Sequence, residues 1–418
     1  MQIIVLAGGE GKRMWPVATD KCLIPFLGKP LIYHNLLKIR AHLEGVKAHL
    51  PGGREPEFII ISNPHSKDKI TEIAQSLNLN FEITVQNEPK GMADAILSAK
   101  DLIGGEILVL NAEDILDIEE IKTDGDVVLT GLKVNKYFPG GYLLTEGESV
   151  NGIVEKPGEG NEPSDMVKLV ADYFKDGQKL VEYLEKASTD NDDQYEVALD
   201  QMIKDGLDVK FSKYSGVWIP LKYPWHILDI TAYFLSSIDE KVYPGKIIIE
   251  EGAKVFDGAT IKGPCYIGRN VIVGTNSMVR ESDLEEGCVT GFGSDITRSY
   301  VGSNSWFHTN YVGDSVLEGD FGMGSGAVLA NLRLDGKVIR ETERTKLGLI
   351  AGKGVRMGVN SSTMPGVKIG SNSLVGPGVV LKEDLGENQK IIIKHESYEI
   401  KEYEATPTKY DQFRDKLK

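Results

Sequence analysis

The sequence predicts an α/β domain on a Rossmann-like mixed, mainly parallel sheet, followed by a parallel β-helix of hexapeptide repeats. Three observations lead there. Short apolar runs alternate with stretches of helical periodicity through residues 1–228. From about Lys246 an aliphatic side chain returns at every sixth residue instead. Glycine is in excess, 46 of 418 residues or about 11 per cent against a usual ~7 per cent, and much of it punctuates the six-residue repeat.

In the first part, Ile3–Leu6, Phe58–Ile61, Glu82–Val85, Ile107–Leu110 and Val127–Leu129 are short, apolar and rich in β-branched residues, as strands covered on both faces are. Leu31–Leu43, Lys67–Leu77 and Ala93–Leu102 lie between them with apolar residues at the helical period. Such alternation builds a mainly parallel sheet with helices on both sides, whose ligands bind beyond the carboxyl ends of the strands. Gly8–Gly11 follows directly on the first strand and stands at such an end.

A connecting helix is expected over Asp229–Val242, within a linker at 229–245. Ile249, Val255, Ile261, Ile267, Val273 and Val279 then recur at intervals of six, and Ile369, Val375 and Leu381 resume the period. Neither a helix nor a simple strand has that period; aliphatic side chains stacked inward, coil upon coil, explain it. The repeats are placed at 246–390. Ala330–Leu347, with Arg333, Lys337, Arg340, Arg344 and Lys346, interrupts them and reads as a basic loop projecting from the coils. Residues 391–418 read as a polar tail.

Lys and Arg total 47 against 62 Asp and Glu, a net charge of −15 without a basic run, which argues against nucleic-acid or membrane-surface binding. No stretch reaches the ~20 apolar residues of a membrane span. Cys22, Cys265 and Cys288 are too far apart for a disulfide framework or a zinc spacing, as in a protein of the reducing cytoplasm. The apolar start Met1–Ala7 lacks the basic flank and cleavage site of a signal peptide.

Leu6-Ala7-Gly8-Gly9-Glu10-Gly11-Lys12-Arg13 places backbone N–H groups, flexible glycines and two cations immediately after a strand. That is equipment for cradling a polyphosphate, though it is not a P-loop, which needs Gly-Lys-Ser/Thr. Lys21-Cys22-Leu23-Ile24-Pro25 and Gly28-Lys29-Pro30 follow, then Gln86-Asn87-Glu88-Pro89-Lys90-Gly91, Leu108-Val109-Leu110-Asn111 and Val154-Glu155-Lys156-Pro157. In this order the segments resemble the signature of the sugar-1-phosphate nucleotidylyltransferases. The resemblance implies joining of a sugar-1-phosphate to a nucleoside triphosphate with release of pyrophosphate, where catalysis is mostly positioning and charge neutralisation. It implies that Arg13 holds the leaving phosphates and Lys21 those at the reacting centre. The main chain at Leu6, Ala7 and Gly8, with Gly9 and Gly11, would pack on the nucleotide. Gln86 and the backbone at Gly91 would read the pyrimidine edge, and Glu155 would bind sugar hydroxyls.

Two departures from that family's pattern concern Mg²⁺. Its aspartate normally stands in a Gly-Asp pair after the Leu-Val-Leu strand; here the residues are Asn111-Ala112-Glu113-Asp114, so Glu113 and Asp114 are the expected ligands. A second ligand is usual shortly after a tryptophan near the end of the domain. Trp218-Ile219-Pro220 puts a proline there, which cannot ligate through its side chain, so the alignment slips, a different residue serves, or substrate phosphates hold the metal. Asp229 is the next candidate if Glu113 and Asp114 do not bind it.

Within the repeats, Trp306-Phe307-His308-Thr309-Asn310-Tyr311-Val312-Gly313-Asp314, followed by Asn331 and Lys337, resembles the acetyltransferase half of the bifunctional UDP-N-acetylglucosamine pyrophosphorylase/glucosamine-1-phosphate acetyltransferases. This implies a left-handed β-helix, acetyl-CoA along the outside of the coils, and a homotrimer with sites between subunits. His308 would take the proton of the attacking amine, as a histidine can near neutral pH. Tyr311 and Asn331 would orient the sugar, and Arg333 and Lys337 would hold its phosphate. Trp306-Phe307 departs from the smaller residues usual at that place.

The expectation is therefore a bifunctional cytoplasmic enzyme. One domain acetylates glucosamine-1-phosphate with acetyl-CoA, and the other, with Mg²⁺, couples N-acetylglucosamine-1-phosphate to UTP. The base, uridine or thymidine, and the sugar epimer stay open. So do two other readings: a single-activity uridylyl- or thymidylyltransferase with a structural β-helix, and a non-catalytic regulatory subunit that binds nucleotide sugars.

Overall fold

Gln2–Ala7 lies between Ile107–Asn111 and Glu57–Ser62, parallel to both, in a ten-stranded sheet of the computed structural model, which describes residues 1–46, 56–394 and 402. Ile3, Ile4 and Val5 are buried, since both faces of the sheet are covered, and the run can be apolar without alternation. Phe81–Val85 extends the parallel edge. Beyond Ile107–Asn111 the direction becomes mixed. Ala171–Phe174 runs antiparallel to Ile107–Asn111 and to Val127–Lys133, whereas Val209–Tyr214 is parallel to the latter. Gly141–Glu146, Ser149–Glu155 and Met166–Lys168 add antiparallel pairs at the other edge.

Leu31–Val46, Lys67–Ser76 and Met92–Ser98 are the expected helices. The last ends before Leu102 because the hydrogen bonds at Ala99, Lys100 and Leu102 reach back three residues and tighten the chain into turns. Gly177–Lys186 and Gln194–Lys204 are two more helices. The Asp176 carboxylate caps the first, accepting from Gln178 N at 3.1 Å and Lys179 N at 3.3 Å.

The linker helix runs from His226 to Ser236, earlier at both ends than Asp229–Val242. Pro224, which accepts from Ile227 N, opens its first turn. The helix is not a spacer. Ile227, Leu228 and Ile230 bury themselves with Met14, Phe26 and Leu31 of the first domain and Tyr300, Val316 and Ile350 of the second. This apolar cluster is therefore shared between the two domains, beside the cores that each has of its own.

From Ile247 onward short parallel strands stack into three faces, two of them seven strands long. Ile267, Val273 and Val279 point inward and are fully buried. Ile249 and Val255, in the first coil, stay 51 % and 41 % exposed because no earlier coil covers them. Asn270, Asn276, Asn304, Asn360 and Asn372 turn the chain with φ between 53° and 59°, left-handed backbone that asparagine tolerates better than most residues.

Only the tip of the interruption at 330–347 projects, with Leu334 98 % exposed, while the rest is anchored. Leu332 bridges Lys346, Ile339 and Leu347 are buried in the shared core, and Arg344 pairs with Asp229 of the linker helix. Its apolar anchors outweigh its charge and fold it onto the first domain. Lys390–Ile391 pairs with Leu374–Val375, so the last coil includes Ile391. Of the tail expected at 391–418, residues 395–401 and 403–418 lie outside the described residues. Among the described residues no helix is long and apolar enough to cross a membrane.

Candidate active sites

Gly11 has φ 64°, and a Cβ there would press within 3.3 Å of the Lys21 side chain. The turn it makes possible leads into the short helix Lys12–Met14 and brings Arg13 and Lys21 to one cleft of about 660 Å³. That cleft takes in Leu6, Gly8 and Gly9, then Gln86 with Gly91, the Glu113–Asp114 pair, and Glu155. Of the N-terminal residues given a nucleotide, phosphate or sugar role, Ala7 is the one not among its walls. Strand side chains alternate, and Ala7 packs with Val5 and Cys22 on the opposite face.

Lys21 ion-pairs with Glu113, and each side chain is 15 % exposed. Burial opposes the lysine charge, but Glu113, with smaller help from Asp114 and Asp20, outweighs it and holds the pKa above the ordinary value. Asp114 is buried, and burial with the neighbouring Glu113 pushes its pKa up. Its Oδ2 accepts from Trp218 Nε1 at 3.2 Å and Asn111 Nδ2 at 3.4 Å. Asp229, the fallback metal ligand, is not among the residues of this cleft. It pairs with Arg344 in the adjoining apolar groove beside Pro220 and His226.

Gln86 is buried and donates from Nε2 to Gly91 O at 3.0 Å and Asp94 Oδ2 at 2.8 Å. Its Oε1 is directed at Gly8, close enough that a Cβ on Gly8 would stand 2.9 Å away. Gly91 has φ 102°, and a side chain there would meet the Asp192 carboxylate at 2.3 Å, so only glycine fits. Glu155 both lines the cleft and pairs with Lys156 at 3.0 Å.

Three features of the cleft were not legible beforehand. Lys222 donates from Nζ to Pro139 O at 2.9 Å and lies 3.8 Å from the Phe138 ring centre; burial drives its pKa down to about 8. Lys168 and Asp172 form a buried ion pair at 2.6 Å, closed by the Tyr195 hydroxyl, which donates to Asp172 at 2.9 Å. Next to them burial, with Glu155 adding to it, raises the Glu196 pKa to about 7. A lone lysine between prolines carries no motif, and Lys168, Tyr195 and Glu196 lie outside every segment that carried the resemblance. A polar residue buried beside an apolar strand was the only signal available.

In the β-helix, His308 is exposed, not packed away. Its backbone is fixed: the N–H donates to Asn310 Oδ1 at 2.7 Å, and the carbonyl accepts from Ser294 Oγ at 2.5 Å. The Trp306 indole, 53 % exposed, stands 6.4 Å from the imidazole centre to centre. Asn331 Nδ2 donates to Tyr311 Oη at 3.2 Å and also to Asp314, which Arg298 grips at 2.7 and 2.8 Å. Tyr311 and Asn331 thus belong to one network. Arg333 is engaged by Asp335 at 2.5 and 2.9 Å, and Lys337 is exposed on the same loop.

A cleft that gathers cations and carboxylates at the carboxyl end of a parallel strand, packed through a shared apolar cluster against a stack of hexapeptide coils, defines a two-part transferase. The chain belongs to the nucleotidyl transferase family, which it matches over residues 2–219. Residues 246–281 match the bacterial transferase hexapeptide (six repeats) family, and the coils are those of a left-handed β-helix. The chain is 30 % identical to a bifunctional sugar-1-phosphate nucleotidylyltransferase/acetyltransferase of Sulfurisphaera tokodaii, over 92 % of this chain and 98 % of that one. It is 29 % identical to the bifunctional protein GlmU of Methanocaldococcus jannaschii, over 87 % of this chain and 91 % of the relative. The GlmU of a Methanococcus maripaludis strain is 31 % identical, over 95 % and 98 %.

Proposed function

We propose that the chain makes a nucleotide sugar in two steps at two sites, acetylating an amino-sugar-1-phosphate on the β-helix and nucleotidylating the product in the N-terminal cleft. The observation that carries this reading is the meeting of Arg13 and Lys21 beside Glu113 and Asp114 at the end of the Gln2–Ala7 strand. In nucleotidyl transfer the sugar-phosphate oxygen bonds to the α-phosphorus, the bond to the bridging oxygen breaks, and pyrophosphate leaves with the electron pair. Lys21 neutralises charge at the reacting phosphate and Arg13 on the leaving one. Gln86 has its amide N–H groups engaged, so Oε1 acts as acceptor. It suits the N3–H of uracil or thymine and rejects cytosine, whose N3 is itself an acceptor. UTP is the proposed donor, with Glu155 on the sugar hydroxyls.

Mg²⁺ fits this cleft in a limited way. Glu113 and Asp114 are adjacent hard oxygen donors, and among the described residues no group of three or more metal-binding side chains is formed. Magnesium commonly takes one or two carboxylates and completes its shell with phosphates and water. Glu113 and Asp114 would hold it, and when bound it would neutralise phosphate oxygens.

On the β-helix, His308 takes the proton of the substrate ammonium, so that the free amine can attack the thioester of acetyl-CoA and release CoA. Tyr311 and Asn331 orient the sugar, while Lys337, with Arg333, faces its phosphate. His308 and Lys337 are exposed on the single chain, which leaves room for neighbouring subunits to complete the site, and a homotrimer in the cytoplasm is the assembly proposed. The test is a matrix of glucosamine-, galactosamine-, N-acetylglucosamine- and glucose-1-phosphate. Pyrophosphate release is followed with UTP and dTTP, and CoA release with acetyl-CoA. CoA release from an amino sugar and pyrophosphate release from its acetylated form are expected; absence of either refutes the bifunctional reading.

A further inference from the structure

Lys222 is a cation in the cleft that no motif announces. It follows Pro220 by two residues, and its ammonium enters the same cleft as Arg13, Lys21 and Glu113. Its setting is rigid. Nζ donates to Pro139 O at 2.9 Å and lies 3.8 Å from the Phe138 ring centre. Its backbone lies against His226, whose Nδ1 donates to Pro220 O at 2.6 Å at the start of the linker helix. Phe138 packs edge-on against Trp218, centre to centre 4.8 Å, and the Trp218 indole holds Asp114. The lysine is thus built into the same aromatic and carboxylate frame as the catalytic floor.

What the ammonium is for follows from what surrounds it. Asp114, Arg13, Glu155 and Lys156 all act on its charge, so it stands among the phosphate clamp and the sugar-binding carboxylate. The Pro139 carbonyl takes one of its N–H donors, which leaves two for a ligand. Burial disfavours its charge, and the acidic neighbours do not restore the ordinary pKa. A desolvated cation of this kind gains most from an incoming anion. Lys21, by contrast, already has Glu113 as its partner.

We propose that Lys222 is a third phosphate-binding cation of the nucleotidyl-transfer site. It donates to the sugar-1-phosphate as that phosphate's oxygen attacks the α-phosphorus. This rests on the nucleotidyl-transfer reading above, and goes beyond it by assigning the acceptor's phosphate to a residue outside the glycine loop.

The experiment compares Lys222→Met and Lys222→Arg with the wild-type full chain, following pyrophosphate release with each substrate varied in turn. Lys222→Met should lose on the order of 10²-fold in kcat/KM for the sugar-1-phosphate, while KM for the nucleotide changes by less than about threefold. Lys222→Arg, keeping the charge, should recover a large part. A Lys222→Met variant within about threefold of wild type for the sugar-1-phosphate overturns the proposal. So does a loss that Lys222→Arg shares in full and that tracks a lowered melting temperature. If the wild type itself releases no pyrophosphate, the nucleotidyl-transfer reading fails, and calorimetry with glucose-1-phosphate decides on Lys222 separately. At least about tenfold weaker binding by Lys222→Met keeps it as a phosphate ligand, and unchanged binding removes it.

Discussion

Glu318 of the β-helix holds Thr19 of the N-terminal domain: its Oε1 accepts from the Thr19 backbone N–H at 2.6 Å and from the Thr19 hydroxyl at 2.7 Å. The same oxygen accepts from Ala18 N at 2.9 Å, and Oε2 accepts from Lys353 N at 2.9 Å. Ala18 and Thr19 lie between Arg13 and Lys21, so the segment that joins these two cleft cations is fastened to the other domain. Met14 and Val17, in the same segment, sink into the core shared with Tyr300 and Val316. The β-helix thus braces, from outside the cleft, the segment that carries Arg13 and Lys21.

Glu318→Ala is therefore expected to lower the kcat of nucleotidyl transfer by about tenfold, because three hydrogen bonds that fix the loop are lost. CoA release should be unaffected. Steady-state rates of both products from one preparation check this; an unchanged pyrophosphate rate would show that the loop holds its place without the contact.

Replacing Arg13 or Lys21 by alanine should cost on the order of 10²-fold or more in pyrophosphate release and leave acetyl transfer alone. Lys21→Ala also strips Glu113 of its partner, so its melting temperature should fall more than that of Arg13→Ala. Wild-type pyrophosphate release in both variants contradicts the phosphate assignments.

The same domain contact is sensitive to pH. Asp283 and Glu285, buried on the β-helix, accept from Leu27 N and Gly28 N, each at 3.1 Å. Burial pushes both pKa values up, helped at Asp283 by the Glu285 charge and at Glu285 by Glu286 and Glu250, and that of Glu285 reaches about 7. The native state thus keeps protons that the unfolded chain has already released. Stability from this pair is fully present below the ordinary carboxylate range and is lost as pH rises towards 7. Glu285→Gln should flatten the fall in melting temperature between about pH 5 and pH 7.5. An identical pH profile for variant and wild type would rule out Glu285 as the titrating group.

Mg²⁺ dependence is expected to reside in Glu113 and Asp114, the adjacent carboxylates after the Ile107–Asn111 strand. Changing both to amides should abolish the response of pyrophosphate release to added Mg²⁺ after chelation. A double variant that keeps the response places the metal elsewhere.

Much of the architecture was legible because its physical causes are local. Stacked coils require an inward aliphatic residue at a fixed interval, so Ile267, Val273 and Val279 betray the β-helix whatever surrounds them. Strands covered on both faces must be apolar throughout, which exposes Ile3–Leu6 and Phe58–Ile61. The cleft was legible where residues cluster along the chain, as in the glycine loop. Lys222, Lys168 and Glu196 were not, since a lysine or glutamate functions only through neighbours that the fold supplies. Ile339 and Leu347 were the overlooked signal at 330–347: two apolar anchors in a charged stretch fold it back. The strands from Gly141 to Phe174 pair antiparallel, and their partners cannot be inferred from an alternation of strands and helices.

The claim that the chain carries two active sites is tested most directly by the rate of CoA release from His308→Ala, measured beside pyrophosphate release from N-acetylglucosamine-1-phosphate and UTP. His308 has an exposed side chain on a backbone fixed by Asn310 and Ser294, so its removal should spare the fold. A positioned base contributes roughly 10²–10⁴-fold, and CoA release should fall by about that factor while pyrophosphate release stays near wild type. A stable His308→Ala protein with undiminished acetyl transfer, or one that loses both activities together, would contradict the second site.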